Sequence, residues 1–207
     1  MVFESKHPLV KHKLALLRDS QTEPKLFREL VGELAQLLFY EASADLPTRA
    51  IQVQTPMGQA TQQVLAVKAA LVPILRAGLG MMDPIWDMIP SAEVWHMGMY
   101  RDETTLRPVF YYEKFSAEPR AQIAFLLDPM LATGGSAIAC TDRVKEWGVP
   151  QLKFISLIAA PEGIRAFEAA HPDVPIFTAE VDSHLNAIGY IVPGLGDAGD
   201  RQFGTLH

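Results

Sequence analysis

Apolar residues follow two rhythms along this chain. Short, nearly uninterrupted runs cover residues 69–75, 94–100, 122–127, 152–158 and 174–179, and each has the length of a strand buried on both faces. Between several of these runs the apolar positions recur at helical spacing. Met81, Met82, Ile85, Trp86, Met88 and Ile89 form one such set, with core packing the expected role of the methionines. Ala137, Ile138, Cys140, Val144 and Trp147 form another, and residues 162–171 a third. An earlier stretch, 24–40, sets Phe27, Leu30, Val31, Leu34, Leu37 and Leu38 on one side and Lys25, Arg28, Glu29, Glu33 and Gln36 elsewhere. This is an amphipathic helix, with Thr22 and Pro24 suited to its start. Strand and helix alternate, so the expected fold is α/β: a mostly parallel sheet with helices on both faces.

Three of the runs stop at a charge. Residues 69–75 end at Arg76, 94–100 at Arg101 and 122–127 at Asp128, so each strand delivers a charged side chain to the carboxyl edge of its sheet, where α/β proteins bind ligands. Other segments depart from the pattern. Alternation in Ile51-Gln52-Val53-Gln54 and a turn at Pro56-Met57-Gly58 predict a small hairpin or excursion within 48–67, with no function attached. Residues 101–120 are largely polar around Val109-Phe110-Tyr111-Tyr112, which suits either a mobile hairpin arm or a plain surface hairpin. The tail holds Pro193, Gly194, Gly196, Gly199 and Gly204 with almost no core-forming pattern, so it is either disordered or an ordered loop that presents its backbone.

Length and charge narrow the picture. With 207 residues and 49% hydrophobic content, the chain suits one core, hence a single domain over 1–207. Cys140 falls on the helical apolar spacing and reads as a core residue in a reducing compartment. No run has the length of a signal or membrane segment, and a cytoplasmic protein is expected, with no membrane partner. His7 and His12 have no acidic or cysteine neighbours at metal spacing. Eighteen Lys and Arg against 24 Asp and Glu give a net charge of −6, which argues against nucleic acid as a partner. An anionic ligand would need a locally positive site.

The turn after Asp128 offers one. Met130-Leu131-Ala132-Thr133-Gly134-Gly135-Ser136 runs from a strand end to a helix start, where free backbone amides and the positive end of the helix dipole meet a phosphate. Thr133 and Ser136 would add hydroxyl donors, and Asp128 would accept from the hydroxyls of an attached sugar. An ordinary strand-to-helix turn fits the glycine pair as well. No Lys follows the glycines, as a Walker-type loop requires, and Gly78-Leu79-Gly80-Met81-Met82-Asp83 ends in Asp where a dinucleotide fingerprint has its third glycine.

Leu127-Asp128-Pro129-Met130-Leu131-Ala132-Thr133-Gly134-Gly135-Ser136 resembles the phosphoribosyl-diphosphate (PRPP) signature of the type I phosphoribosyltransferases, in the form found in the uracil phosphoribosyltransferase family. Most of that superfamily has a second acid where Pro129 stands here. Further pieces agree in the family's order: His7-Pro8-Leu9-Val10-Lys11-His12-Lys13-Leu14, Val72-Pro73-Ile74-Leu75-Arg76-Ala77-Gly78, Gly98-Met99-Tyr100-Arg101, Ala159-Ala160-Pro161-Glu162-Gly163 and Ile191-Val192-Pro193-Gly194-Leu195-Gly196-Asp197-Ala198-Gly199-Asp200. The resemblance implies transfer of phosphoribosyl from PRPP to uracil, giving UMP and diphosphate. It implies that Asp128, Pro129, Met130, Leu131, Ala132, Thr133, Gly134, Gly135 and Ser136 hold the ribose 5-phosphate, with Asp128 on the ribose hydroxyls. Arg76 and Arg101 would hold the diphosphate. Ile191, Gly196, Asp197 and Ala198 would hold uracil, with Asp197 also touching PRPP. Catalysis would rest on Asp128, Arg76 and Arg101. The resemblance further implies Mg²⁺ carried mainly by PRPP with no metal ligands of the protein's own, and a homo-oligomer, dimer or higher, and it leaves open GTP as an effector. A regulator that senses PRPP or uracil on this fold is disfavoured by the acidic balance and by the tail. A purine or orotate transferase is disfavoured by Asp128-Pro129 and by the same tail.

Overall fold

The uninterrupted apolar runs form the middle of one sheet. The computed structural model describes residues 1–101, 108–114 and 121–205. From the amino terminus, β1 (Val2–Glu4) leads to α1 (Pro8–Arg18) and α2 (Pro24–Ala42), then to β2 (Thr48–Thr55) and β3 (Gly58–Leu65), an antiparallel pair. The central part runs β4 (Ala69–Leu75), α3 (Leu79–Met88), β5 (Glu93–Val94), β6 (Met97–Arg101), β7 (Pro108–Glu113), β8 (Ile123–Leu127), β9 (Met130–Leu131), α4 (Gly135–Glu146), β10 (Gln151–Ala159), α5 (Pro161–Ala170) and β11 (Ile176–Val181). β12 (His184–Leu185), β13 (Ile191–Val192) and α6 (Ala198–Phe203) close the chain.

Among the described residues the sheet has nine strands in the order β1-β11-β10-β8-β4-β6-β7, with β5 on β4 and β9 on β10. Among the described residues its pairs are parallel except β6 with β7. Alternate residues of the central strands face opposite sides, as the pleat requires. Leu71 and Phe125 join a core with α1, α2 and α3, whereas Ala70, Val72, Ala124 and Leu126 join a second core under α4 and α5. Both faces are therefore covered, as a parallel sheet demands.

Several elements differ from the sequence expectation. Residues 8–18 form α1, which the charged character of this segment hides; it buries Val10, Leu14 and Leu17, and His7 Nδ1 accepts from the Leu9 amide at 3.2 Å at its start. The run 94–100 is not one strand but two, β5 and β6, both on β4. On α3, Met81, Met82 and Ile85 are buried but Trp86 and Met88 are exposed, so only part of the apolar set faces the core. The hairpin at 48–65 forms as expected around Pro56-Met57. Of the 101–120 segment, β7 pairs with β6, and Arg143 on α4 clamps Glu113 with Nε 2.8 Å from the carboxylate, holding that carboxyl below its usual range; residues 102–107 and 115–120 lie outside the described residues. The tail is ordered and buries Ile191, Leu195 and Ala198.

Candidate active site

Three loops meet at the carboxyl edge of the sheet. The first follows β8. The Asp128 amide donates to Ile155 O at 3.2 Å, and the Pro129 carbonyl accepts from Leu157 and Ile158 at 3.0 and 3.1 Å. With β9 paired to β10, the start of the loop is therefore stitched into the sheet. Pro129 is buried and presents no polar group toward a ligand. Gly134 then takes φ +85, a left-handed conformation that a glycine adopts at little cost, and α4 begins. The result is a recess of about 80 Å³ lined by Asp128 and by residues 130–137, with the first amides of a 12-residue helix around it. Thr133 is exposed and Ser136 half-buried, so both hydroxyls can reach an anion there. Helix α5 supports the loop from behind. A Cβ at Gly163 would lie 2.2 Å from Ala132 O, so this packing depends on the missing side chain.

The second loop follows β4. The Leu75–Arg76 peptide is cis, and the Gly78 amide donates to Ile74 O at 2.9 Å. A Cβ at Gly78 would stand 2.4 Å from Leu127 O, so the loop lies flat against the end of β8. Arg76 projects outward with its side chain 58% exposed, 3.3 Å from Asp200 and 5.9 Å above the Phe203 ring. Arg101 ends β6 on the neighbouring strand. Its side chain lies outside the described residues.

The third loop is the tail, and it runs beside both of the others. A Cβ at Gly189 would lie 3.7 Å from the Thr133 methyl, and one at Gly199 4.0 Å from Ala77 Cβ. The side chains of Ile191 and Ala198 are buried in the core, so these residues can offer a ligand their backbone only. Gly196 is exposed with φ +79. Asp197 caps α6, accepting from the Asp200 amide at 2.9 Å. Asp197 also acts on Asp128. Burial pushes the Asp128 carboxyl up to about 7, the Met130 amide at 3.3 Å pulls it back, and the Asp197 charge raises it further.

Sequence reasoning missed the groups that hold the tail. Arg18 at the end of α1 pairs with the fully buried Asp182, whose Oδ2 is 2.9 Å from Arg18 Nη1 and 2.9 Å from the Gly194 amide; Arg18 also donates to Gly194 O at 2.7 Å. Arg201 is buried and donates to Leu17 O and Leu195 O at 2.9 Å and to Asp19 O at 2.5 Å, with its guanidinium 4.3 Å from the Phe27 ring centre. Gln202 joins Ala77 O to Ala198 O. Arg201-Gln202 beside the glycines is the only sequence signal, since both side chains need carbonyl or carboxylate partners when buried; Arg18 and Asp182 stand far off in sequence and give none.

An acid-led glycine loop at a helix start, beside an arginine loop on the adjacent strand of a parallel sheet, defines the type I phosphoribosyltransferase class. An adenine phosphoribosyltransferase of Trypanosoma brucei shares this fold at a TM-score of 0.55, with 13% identity over 87% of this chain and 82% of that one. Closer relatives narrow the class. The family model described as uracil phosphoribosyltransferase matches residues 4–205. A uracil phosphoribosyltransferase of Roseiflexus castenholzii is 60% identical over 204 residues, 99% of this chain and 98% of its own, and one of Enterococcus faecalis is 52% identical over 96% of each. A solved Aquifex aeolicus structure superposes with a TM-score of 0.93 at 37% identity over 98% of both chains. The chain belongs to the uracil phosphoribosyltransferase family.

Proposed function

We propose that this enzyme transfers the phosphoribosyl group of PRPP to N1 of uracil through the three loops just described. The observation that carries this is their convergence: the tail runs beside Thr133 in one loop, its Gln202 donates to Ala77 O in the other, and Asp197 acts electrostatically on Asp128. The loop 128–136 holds the 5-phosphate by helix amides and hydroxyls. Arg76 exchanges Asp200 for the diphosphate, and Arg101 adds a second cation from β6. Backbone groups at Ile191, Gly196 and Ala198 read the planar edge of uracil, with Asp197 between base and sugar.

The C1′–oxygen bond to diphosphate breaks with its electron pair leaving on diphosphate, while uracil N1 bonds to C1′ and gives up its proton to the released diphosphate or to solvent. Positive character on the sugar is met by Asp128, and the departing charge by the arginines. The loops hold both reactants in attack geometry, which lowers the barrier without a covalent intermediate. Among the described residues no group of three or more His, Cys, Asp or Glu side chains could hold a metal ion. Asp128 and Asp197 are the carboxylates at hand for Mg²⁺ carried by oxygens of PRPP, and an ion so bound would supply charge neutralisation at the diphosphate.

Homo-oligomer formation and activation by GTP are further parts of this proposal. Supporting the first, β2 and β3 pair only with each other among the described strands, and an isolated two-stranded ribbon is marginal in water. A solution mass with and without GTP decides both. No helix among the described residues is long and apolar enough to cross a membrane, and the buried Cys140 suits the reducing cytoplasm we assign. The base choice is tested by competition for PRPP. Uracil and 5-fluorouracil react, while cytosine, with donor and acceptor exchanged along its edge, is rejected by roughly 10⁴-fold or more. Comparable use of cytosine refutes backbone reading of the base.

A further inference from the structure

Three side chains of α6 reach the diphosphate loop from the base side. Asp200 and Phe203 do so at the exposed Arg76 side chain, where an ion pair restrains position weakly. Gln202 is different. It is fully buried, and its Nε2 donates to Ala77 O and to Ala198 O, each at 3.0 Å. Ala77 follows Arg76 in the diphosphate loop, and Ala198 follows Asp197 in the base loop. One planar amide therefore ties the two half-sites together.

Its orientation is fixed by those partners, because a rotated amide would set its oxygen against two carbonyl oxygens. The side chain lies in a notch at Gly80, where a Cβ would stand 1.8 Å from Gln202 Oε1. That Oε1 is buried and has no hydrogen-bond partner among the described residues. A buried acceptor thus goes unsatisfied while both donors are placed, the reverse of what packing alone would select.

We propose that Gln202 is a positioning residue for the transfer: it sets the spacing between the base loop and the diphosphate loop, and so the approach of the base nitrogen to the anomeric carbon, without touching either substrate. This rests on the phosphoribosyl-transfer reading above. Each loop keeps its own binding groups when the tie is lost, so the loss falls on the bound complex. A displacement of about 1 Å between reactants costs on the order of 10²-fold in rate.

Two variants test this. Gln202→Met keeps length and removes both donors; Gln202→Glu keeps the shape and, while protonated, returns one donor. For Met, kcat falls about 10- to 100-fold with KM for PRPP and for uracil within about threefold of wild type. The Glu variant lies between Met and wild type and loses activity relative to wild type as pH rises and its carboxyl ionises against the two carbonyls. In the ligand-free protein, amide exchange over residues 76–80 and 195–199 is faster in Gln202→Met. A Met variant with wild-type kcat per folded molecule, or with its loss confined to KM, overturns the proposal. So does a Glu variant that tracks Met at every pH; if Met does not fold, the Glu variant decides alone, and activity whose ratio to wild type does not change with pH overturns the proposal. Unchanged amide exchange overturns the tie whatever reaction the protein runs, whereas a wild-type protein that forms no UMP overturns only the reaction assigned to the site.

Discussion

Replacing Asp128 by Asn should slow the enzyme and stabilise its ligand-free fold. The carboxyl titrates at about 7 in the folded chain against an ordinary 3.8, because burial and the Asp197 charge outweigh the single Met130 amide that faces it. A raised folded pKa on an acid means that the folded state holds a proton that the unfolded chain has released. Stability from this group is thus complete below pH 3.8 and is lost as pH rises toward 7. At about 1.36 kcal/mol per unit the ceiling is about 4 kcal/mol at pH 8. Asp128 is only half-buried, and solvent screening leaves about 1–2 kcal/mol of that. Asn keeps the shape and an acceptor for the Met130 amide but carries no charge. Its melting temperature should exceed wild type by about 3–6 °C at pH 8, with the gap closing toward pH 4. UMP formation should fall about 10²- to 10³-fold, the usual loss when one preorganised electrostatic group is removed. Thermal unfolding across pH and steady-state rates on the same preparations measure both effects. A melting difference independent of pH refutes the electrostatic reasoning, and an Asn variant with wild-type turnover removes Asp128 from the chemistry.

Other substitutions probe the remaining loops. Arg76→Ala should weaken PRPP binding about 10- to 100-fold by calorimetry while leaving the melting temperature nearly unchanged, since its exposed pair with Asp200 contributes little to folding; unchanged PRPP affinity and turnover exclude it from the site. Gly196→Val should damage uracil kinetics more than PRPP binding. The cause is the φ of +79, which a β-branched residue resists, and not crowding, because the nearest atom to a Cβ there is Arg201 Cδ at 3.6 Å; normal uracil kinetics would dismiss the loop as base reader. Gly163→Ala should push the loop 128–136 away from α5, destabilise the fold by about 1–3 kcal/mol in denaturant titration and raise KM for PRPP. A wild-type midpoint would show that the loop yields freely.

The parts of the candidate site that lie on buried strands were legible because a strand covered on both faces must be apolar until it ends. Arg76 and Asp128 stand where those runs stop, at the sheet edge. Helix α1 was not legible: its buried Val10, Leu14 and Leu17 are spaced among Lys11, His12 and Lys13, and its stability comes from packing on α2 rather than from its own pattern. The order of the tail was illegible for a related reason. Few of its side chains enter the core, and its backbone is held by Arg18, Asp182 and Arg201, partners set by long-range folding. Trp86 and Met88 misled in the opposite sense, since apolar spacing on a short helix does not say how much of it a neighbour covers.

The most direct measurement follows ³¹P resonances of PRPP mixed with enzyme and one base at a time. With uracil, PRPP should be replaced by UMP and diphosphate in equal amounts, while orotate, hypoxanthine and adenine leave PRPP unconsumed. No UMP from uracil, or nucleotide formed at comparable rate from a purine or orotate, would contradict the assignment of these loops to phosphoribosyl transfer onto uracil.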